Sequence, residues 1–311
     1  MRLALKVDVD TLEGTRTGVP RLLRLLDRHG VRATFLFSVG PDHTGRALRR
    51  IFRPGFFRKV RRTSVVRHYG VRTLLYGTLL PGPDIGRRTA DVMRSVAAAG
   101  HEVGVHCFDH VLWQDHVAGA DRAWTKRQLE LASARFREIF GRPATVHGAA
   151  GWQMNVHAYA AEAETGFRYA SDARGRSPYQ PVIEGKAVGC VQLPTTLPTL
   201  DELIGRDDLP EEGPVATLAA ATERGALEGH VFTLHAEIEG GQLLGDFDSL
   251  LTTWRSQGYA LGGLDSSFHA LDPRKIPLCL AAYGSVPGRS GRLAVQGDEA
   301  HEGVRARGVW V

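Results

Sequence analysis

The order of short apolar runs and amphipathic runs constrains this chain more than any other feature. "LALKVDVD" alternates apolar and polar side chains and reads as a strand from Arg2 to about Val9. "GVPRLLRLLDRHG" then spaces its apolar residues as a helix does, with Pro20 near its start and Gly30 just past its end. "VRATFLFSVG" is a second strand. A strand, a helix and a strand in sequence favour a parallel sheet. The same alternation returns in "HEVGVH", "ATVHGAAGW", "FRYASDARG", "GCVQLPTTLP", "HVFTLHAEIEG" and "YALGG", separated mostly by helical runs such as "DRAWTKRQLELASARFREIFG". The pattern predicts one α/β domain over residues 1–284, barrel-like in architecture. The segment at about 41–86 is irregular and reads as an insertion. From Ser285 to Val311 the chain becomes Gly- and Arg-rich without a sustained period, which predicts a tail that is loose or tied down only late.

The formal net charge is +5, yet residues 46–62, "RALRRIFRPGFFRKVRR", hold eight Arg or Lys and no acid. The remainder is therefore net acidic, and the basic patch implies a local partner. The three cysteines are far apart with no C-x-x-C spacing, as in a reducing compartment. Asp8 and Asp10 interrupt what a signal peptide would need as an apolar run, and no stretch has the ~20 apolar residues of a membrane span. A cytoplasmic protein is expected.

Polar residues at the C-terminal ends of barrel strands are where chemistry usually sits. Asp8 and Asp10, two apart, would point to one face, and two adjacent carboxylates repel unless a cation or proton intervenes. His106 and His110 have the i, i+4 spacing of one helical face. Either pair alone is as well explained by solvated loop residues, and His235 alone by a satisfied core histidine. Together, one carboxylate and two imidazoles make a triad with open positions for a divalent metal. A second carboxylate nearby is a candidate base, and a further histidine a candidate acid.

"VDVD", "HCFDH" and "FTLHAE", in that order, resemble the polysaccharide deacetylase (NodB-like) family over roughly residues 3–270. The resemblance implies a distorted (β/α)7-type barrel and a metal-dependent amide hydrolase. It implies Asp8 as general base, Asp10, His106 and His110 as metal ligands, and His235 as general acid. It implies one divalent ion, with Zn, Co, Mn, Ni and Fe not distinguished by such a ligand set. The family's third motif carries an Arg that holds the base, and here that place reads "AAGW". A backbone N–H of Gly151 or Trp152 is expected to serve the oxyanion. Arg174, in "SDARG", is expected to replace the missing charge beside Asp8, leaving Asp172 to bond His235. The rival reading is an Asp172–Arg174 structural ion pair.

Longer blocks, "VDVDTLEGTRTGVPRLL", "LPTTLPTLDELIGRD" and "LHAEIEGG", resemble the members that remove a formyl group from an undecaprenyl-phosphate-linked formamido-arabinose. Those members act in lipid A modification and resistance to cationic antimicrobial peptides. A polyprenyl-phosphate-linked amino sugar and an anionic membrane surface are then the implied partners, on the cytoplasmic face of the inner membrane. Phe52, Phe56 and Phe57 would enter the headgroup boundary while Arg49, Arg50, Arg53, Arg58, Lys59, Arg61 and Arg62 meet lipid phosphates. The alternatives are an N-deacetylase of another lipid-linked or soluble amino sugar, a metal-free binding relic, and a nucleic-acid-binding protein. No nucleic-acid motif accompanies the patch, and no nucleic-acid partner is expected.

Overall fold

The computed structural model describes residues 1–47, 72–206, 208–223, 225–226 and 229–300. The lipid-contact set expected between Arg49 and Arg62, and most of the expected insertion, lie outside the described residues. Eight parallel strands form a curled sheet. Strand β1 (Arg2–Val9) is central, paired with β9 (His230–His235) on one edge. Its other edge is shared by β2 (Thr34–Ser38) beside its C-terminal half and β10 (Ala260–Gly262) beside its first residues. The sheet continues through β3 (Glu102–Cys107), β4 (Val146–His147), β5 (Tyr169–Ala170) and β8 (Val191–Gln192). Beyond β8, the Thr196 N–H donates to the Val231 carbonyl at 3.1 Å, so the curl returns to β9. This is the distorted β/α barrel expected from the sequence.

The alternation in β1 is real, but neither face meets water: Leu3 to Val9 are all buried. Leu3, Leu5, Val7 and Val9 join the main core beneath the outer helices. Ala4, one residue out of step, joins Leu36, Val146, Tyr169, Val191, Leu193, Val231 and Leu264 in a second cluster inside the curl. Period-two geometry then stacks Lys6, Asp8 and Asp10 above that apolar floor.

The outer layer includes α1 (Val19–Arg28), α2 (Ile85–Ala98), α4 (Arg122–Phe140), α5 (Val156–Thr165), α7 (Gly213–Glu223) and α8 (Leu244–Ser256), with the short α3 (His110–His116) between β3 and α4. Asp121 caps α4 through the Trp124 N–H, and Asn155 caps α5 through that of Ala158.

Of the two expectations for the tail from Ser285, loose or tied down, the described part, up to residue 300, is tied down. Residues β11 (Leu278–Gly284) and β12 (Leu293–Glu299) form an antiparallel hairpin, and β11 pairs in parallel with β6 (Gln180–Ile183). With β7 (Lys186–Ala187) they make a second, four-stranded sheet. Leu293 and Ala294 are buried, which supplies the apolar contact that its Gly-rich composition hid. Residues 301–311 lie outside the described set.

Candidate active site

Asp8, one residue before the end of β1, lies directly across from His235, its Cα partner on β9. Asp10 follows on the same face. His106, near the end of β3, and His110, opening α3, complete the group. The two histidines are therefore not on one helical face: their spacing spans a strand end and the Asp109 turn. Asp109 caps α3 through the Leu112 N–H at 3.1 Å, and its other oxygen meets His43 Nδ1 at 2.6 Å, which fixes the helix start that carries His110.

His106 Nδ1 lies 2.6 Å from the Gly148 carbonyl. A carbonyl only accepts, so Nδ1 carries a proton, and Nε2 faces Asp10 Oδ1, 3.2 Å away. That contact is closed by a proton on Nε2 or by a cation held between the two atoms. His110 Nε2 stands 3.4 Å from Asp10 Oδ2. The three donor atoms lie within 4.8 Å of one another, and Asp10 Oδ1 is buried without a hydrogen-bond partner. Burial would push the Asp10 carboxyl up, but His110, then His106, hold it well below the usual carboxylate range. The donor set fits a divalent metal.

Glu237, two residues beyond His235, anchors the Asp10 turn. Its Oε1 accepts from the Asp10 N–H at 3.1 Å, the Thr11 N–H at 2.8 Å and the Thr11 hydroxyl at 2.8 Å. Glu239 accepts the His235 N–H at 2.7 Å. Both carboxylates belong to the "HAEIE" run, whose acids at that spacing were the available signal.

Two sequence expectations fail. Arg174 does not reach Asp8. It donates to Glu202 at 2.5 Å and to the Leu197 carbonyl at 2.9 Å, and it lies over the Trp152 ring. Asp172 does not bond His235, nor Arg174. It accepts from the Ala149 N–H at 2.7 Å and from Gln192 Nε2 at 2.8 Å, and lies 3.0 Å from His147 Nδ1. His147 Nδ1 also meets Glu162 at 2.7 Å, so all three form a wholly buried cluster behind the site. Burial disfavours the imidazolium, yet Asp172, then Glu162, raise the His147 pKa to about 10. Each strand end faces a different neighbour in the curl, and the linear order of β5 and β9 does not reveal that.

The carboxylate nearest the His235 ring is Asp201, whose Oδ1 is 3.9 Å from Nδ1. Asp201 opens α6 (Leu200–Leu203) and is held by Arg289 at 3.1 Å. Arg289 comes from the turn between β11 and β12. The cation beside Asp8 is Lys6, 3.5 Å from Oδ2.

The "AAGW" turn closes the group from one side. Gly151 and Trp152 both have left-handed backbones, with φ of 61° and 54°. A Cβ on Gly151 would sit 1.9 Å from Gln114 Nε2. The Trp152 N–H donates to the Ala149 carbonyl at 3.1 Å. It is spent within its own turn, so only the Gly151 amide is carried forward as an oxyanion donor. The buried Trp152 indole donates to Thr195 Oγ1 at 3.1 Å.

A metal-fitting triad beside a held carboxylate and a facing imidazole is the arrangement of a hydrolase acting on an acyl bond. The polysaccharide deacetylase family model matches residues 3–170, and the chain belongs to that family. It is 38% identical over 239 residues to a probable 4-deoxy-4-formamido-L-arabinose-phosphoundecaprenol deformylase, ArnD, of Shewanella sediminis, covering 77% of this chain and 76% of that one. It is 30% identical over 288 residues to the protein of the same name from Wigglesworthia glossinidia brevipalpis, covering 91% and 98%. The fold is similar to a crystal structure of a candidate polysaccharide deacetylase from Mycobacterium smegmatis, with a TM-score of 0.60, 19% identity, and coverage of 92% and 94%.

Proposed function

We propose that the protein removes the N-formyl group from 4-deoxy-4-formamido-L-arabinose carried on undecaprenyl phosphate. The observation that carries this reading is the convergence of Asp8, Asp10, His106, His110 and His235 at one end of the curled sheet, in a chain whose curated relatives bear that activity in their names. Asp10, His106 and His110 would hold the metal. When bound, a divalent ion there supplies Lewis acidity toward water and an amide carbonyl.

Asp8 takes the proton of the attacking water. Its Oδ1 is the free oxygen for this, because Lys6 lies against Oδ2. The water oxygen bonds to the formamide carbon, and the Gly151 N–H receives the charge that develops on the formyl oxygen. His235 delivers a proton to the nitrogen as the C–N bond breaks. One amide and one water become formate and a 4-amino sugar.

A lipid-borne substrate also calls for a membrane surface. No helix among the described residues is long and apolar enough to cross a membrane, so contact would be peripheral. Leu79 is 81% exposed and stands beside Leu80 in the turn that follows the basic stretch. It would add apolar contact to the expected Phe and Arg set.

The test is incubation of purified protein with the polyprenyl-phosphate-linked formamido sugar and with its acetamido analogue, read by mass spectrometry. Loss of the formyl group with the acetamido sugar left intact is the expected result. Equal turnover of both, or of neither, overturns it. Sedimentation with anionic but not neutral liposomes, weakened by Leu79→Asp, checks the surface.

A further inference from the structure

Lys6 is a fully buried ammonium in the middle of the central strand. Burying an unpaired cation is among the costliest things a fold can do. Here the neighbours account for it. Nζ donates to the Ser171 carbonyl at 2.8 Å. It stands 3.5 Å from Asp8 Oδ2 and 5.5 Å from the centre of the Trp152 ring. Backbone, carboxylate and aromatic face thus surround it. The space it occupies is also kept open: a Cβ on Gly148 would lie 2.3 Å from a Leu36 methyl and 3.1 Å from Lys6 Cε.

We infer that Lys6 is the positioning cation for Asp8, supplied by the strand that carries Asp8 and not by the loop facing it. Lys6, Asp8 and Asp10 occupy alternate positions, so their side chains share one face. The ammonium tethers one carboxylate oxygen of Asp8 to the Ser171 carbonyl. The other oxygen, Oδ1, is buried without a hydrogen-bond partner and stays available to a reacting water. Arg174, spent on Glu202, leaves this task to Lys6. The Trp152 side chain, at the place where the family motif would bring in a cation, covers the lysine instead. The inference rests on the hydrolase reading of the site, and it adds a residue that acts through Asp8 without touching substrate.

The test compares Lys6→Met, Lys6→Arg, Asp8→Asn and the Lys6→Met/Asp8→Asn double variant. The assays use the formamido sugar and 4-methylumbelliferyl acetate, a minimal acyl probe that asks nothing of the sugar. Lys6→Met should lower kcat about 100-fold, with KM and bound metal within about twofold of wild type. Lys6→Arg should recover most of the loss. In the Asp8→Asn background, Lys6→Met should cost nothing more, because its effect passes through the missing carboxylate. Wild-type kcat in Lys6→Met overturns the inference. So does loss of metal together with activity, or a double variant in which the two losses multiply. A wild-type enzyme that hydrolyses the probe but not the formamido sugar would fail the substrate reading and leave the Lys6 comparison intact.

Discussion

Arg289 donates to Asp201 at 3.1 Å, and Asp201 Oδ1 lies 3.9 Å from His235 Nδ1. The same guanidinium donates to Glu202 at 2.8 Å and lies 4.7 Å over the Trp152 ring. One side chain from the C-terminal hairpin thereby ties the carboxylate beside the candidate acid to the turn that carries the proposed oxyanion amide. Arg289→Gln is expected to lower kcat about tenfold or more with metal content unchanged. Arg289→Lys should not restore it, since a point charge cannot bridge two carboxylates and an aromatic face. Steady-state kinetics with metal analysis checks both.

Asp172 answers to a different neighbourhood. Its removal takes one of two carboxyl partners from His147 and leaves the Ala149 N–H and the Gln192 amide without their acceptor, in a site closed to water. Breaking such a buried pair costs about 3–5 kcal/mol. Asp172→Ala should therefore lower the urea midpoint sharply. Asp201→Ala, at the edge of the site, should lower turnover with a much smaller change in midpoint.

Metal removal should abolish turnover and lower the melting temperature together. Binding to the folded state alone stabilises it by about 2.7 kcal/mol at a hundredfold excess over Kd. Dialysis against a chelator, then re-addition of Zn, Co or Mn, should reverse both changes. Asp10→Asn should bind metal weakly and gain little thermal stability from it. Calorimetry with and without metal checks this without any substrate.

A pH dependence is built in away from the site. His101 Nδ1 accepts the Ala33 N–H at 3.1 Å. Burial, then the Arg32 charge, pushes its pKa down to about 4 from an ordinary value of 6.5. The unfolded chain then binds the proton more readily than the folded one between those values. Stability contributed by neutral His101 is complete above pH 6.5 and is lost as pH falls toward 4. His101→Asn, which keeps an acceptor but cannot ionise, should flatten the fall in urea midpoint over that window.

The legible parts of this molecule are those that sit at strand ends in short motifs. Asp8, Asp10, His106, His110 and His235 could be read because each closes an apolar run. Lys6 could not: in an alternating strand a lone lysine reads as solvent-facing, and only the wrapping of β1 by three other strands buries it. Asp201 and Arg289 meet through tertiary packing, and nothing in either local sequence announces the other. The hairpin Gln180–Ala187 did carry a signal, since Glu184-Gly185 adopts two consecutive positive φ angles, 50° and 71°, between two apolar runs. "RLAVQGDE" alternates too weakly, and too near a Gly-rich stretch, to be read as β12.

The central position of β1 bears on how the enzyme comes into being. The strand that holds Lys6, Asp8 and Asp10 is made before its partners β9 and β10. Asp10 waits for Glu237, 227 positions later. Long-range pairing of this kind is slow to nucleate, and unpaired apolar strands are exposed to aggregation in the interval. Ribosome-bound chains ending before β9 should neither retain metal nor hydrolyse amide, so competence arrives in a single late event and a nascent chain has no partly active stage.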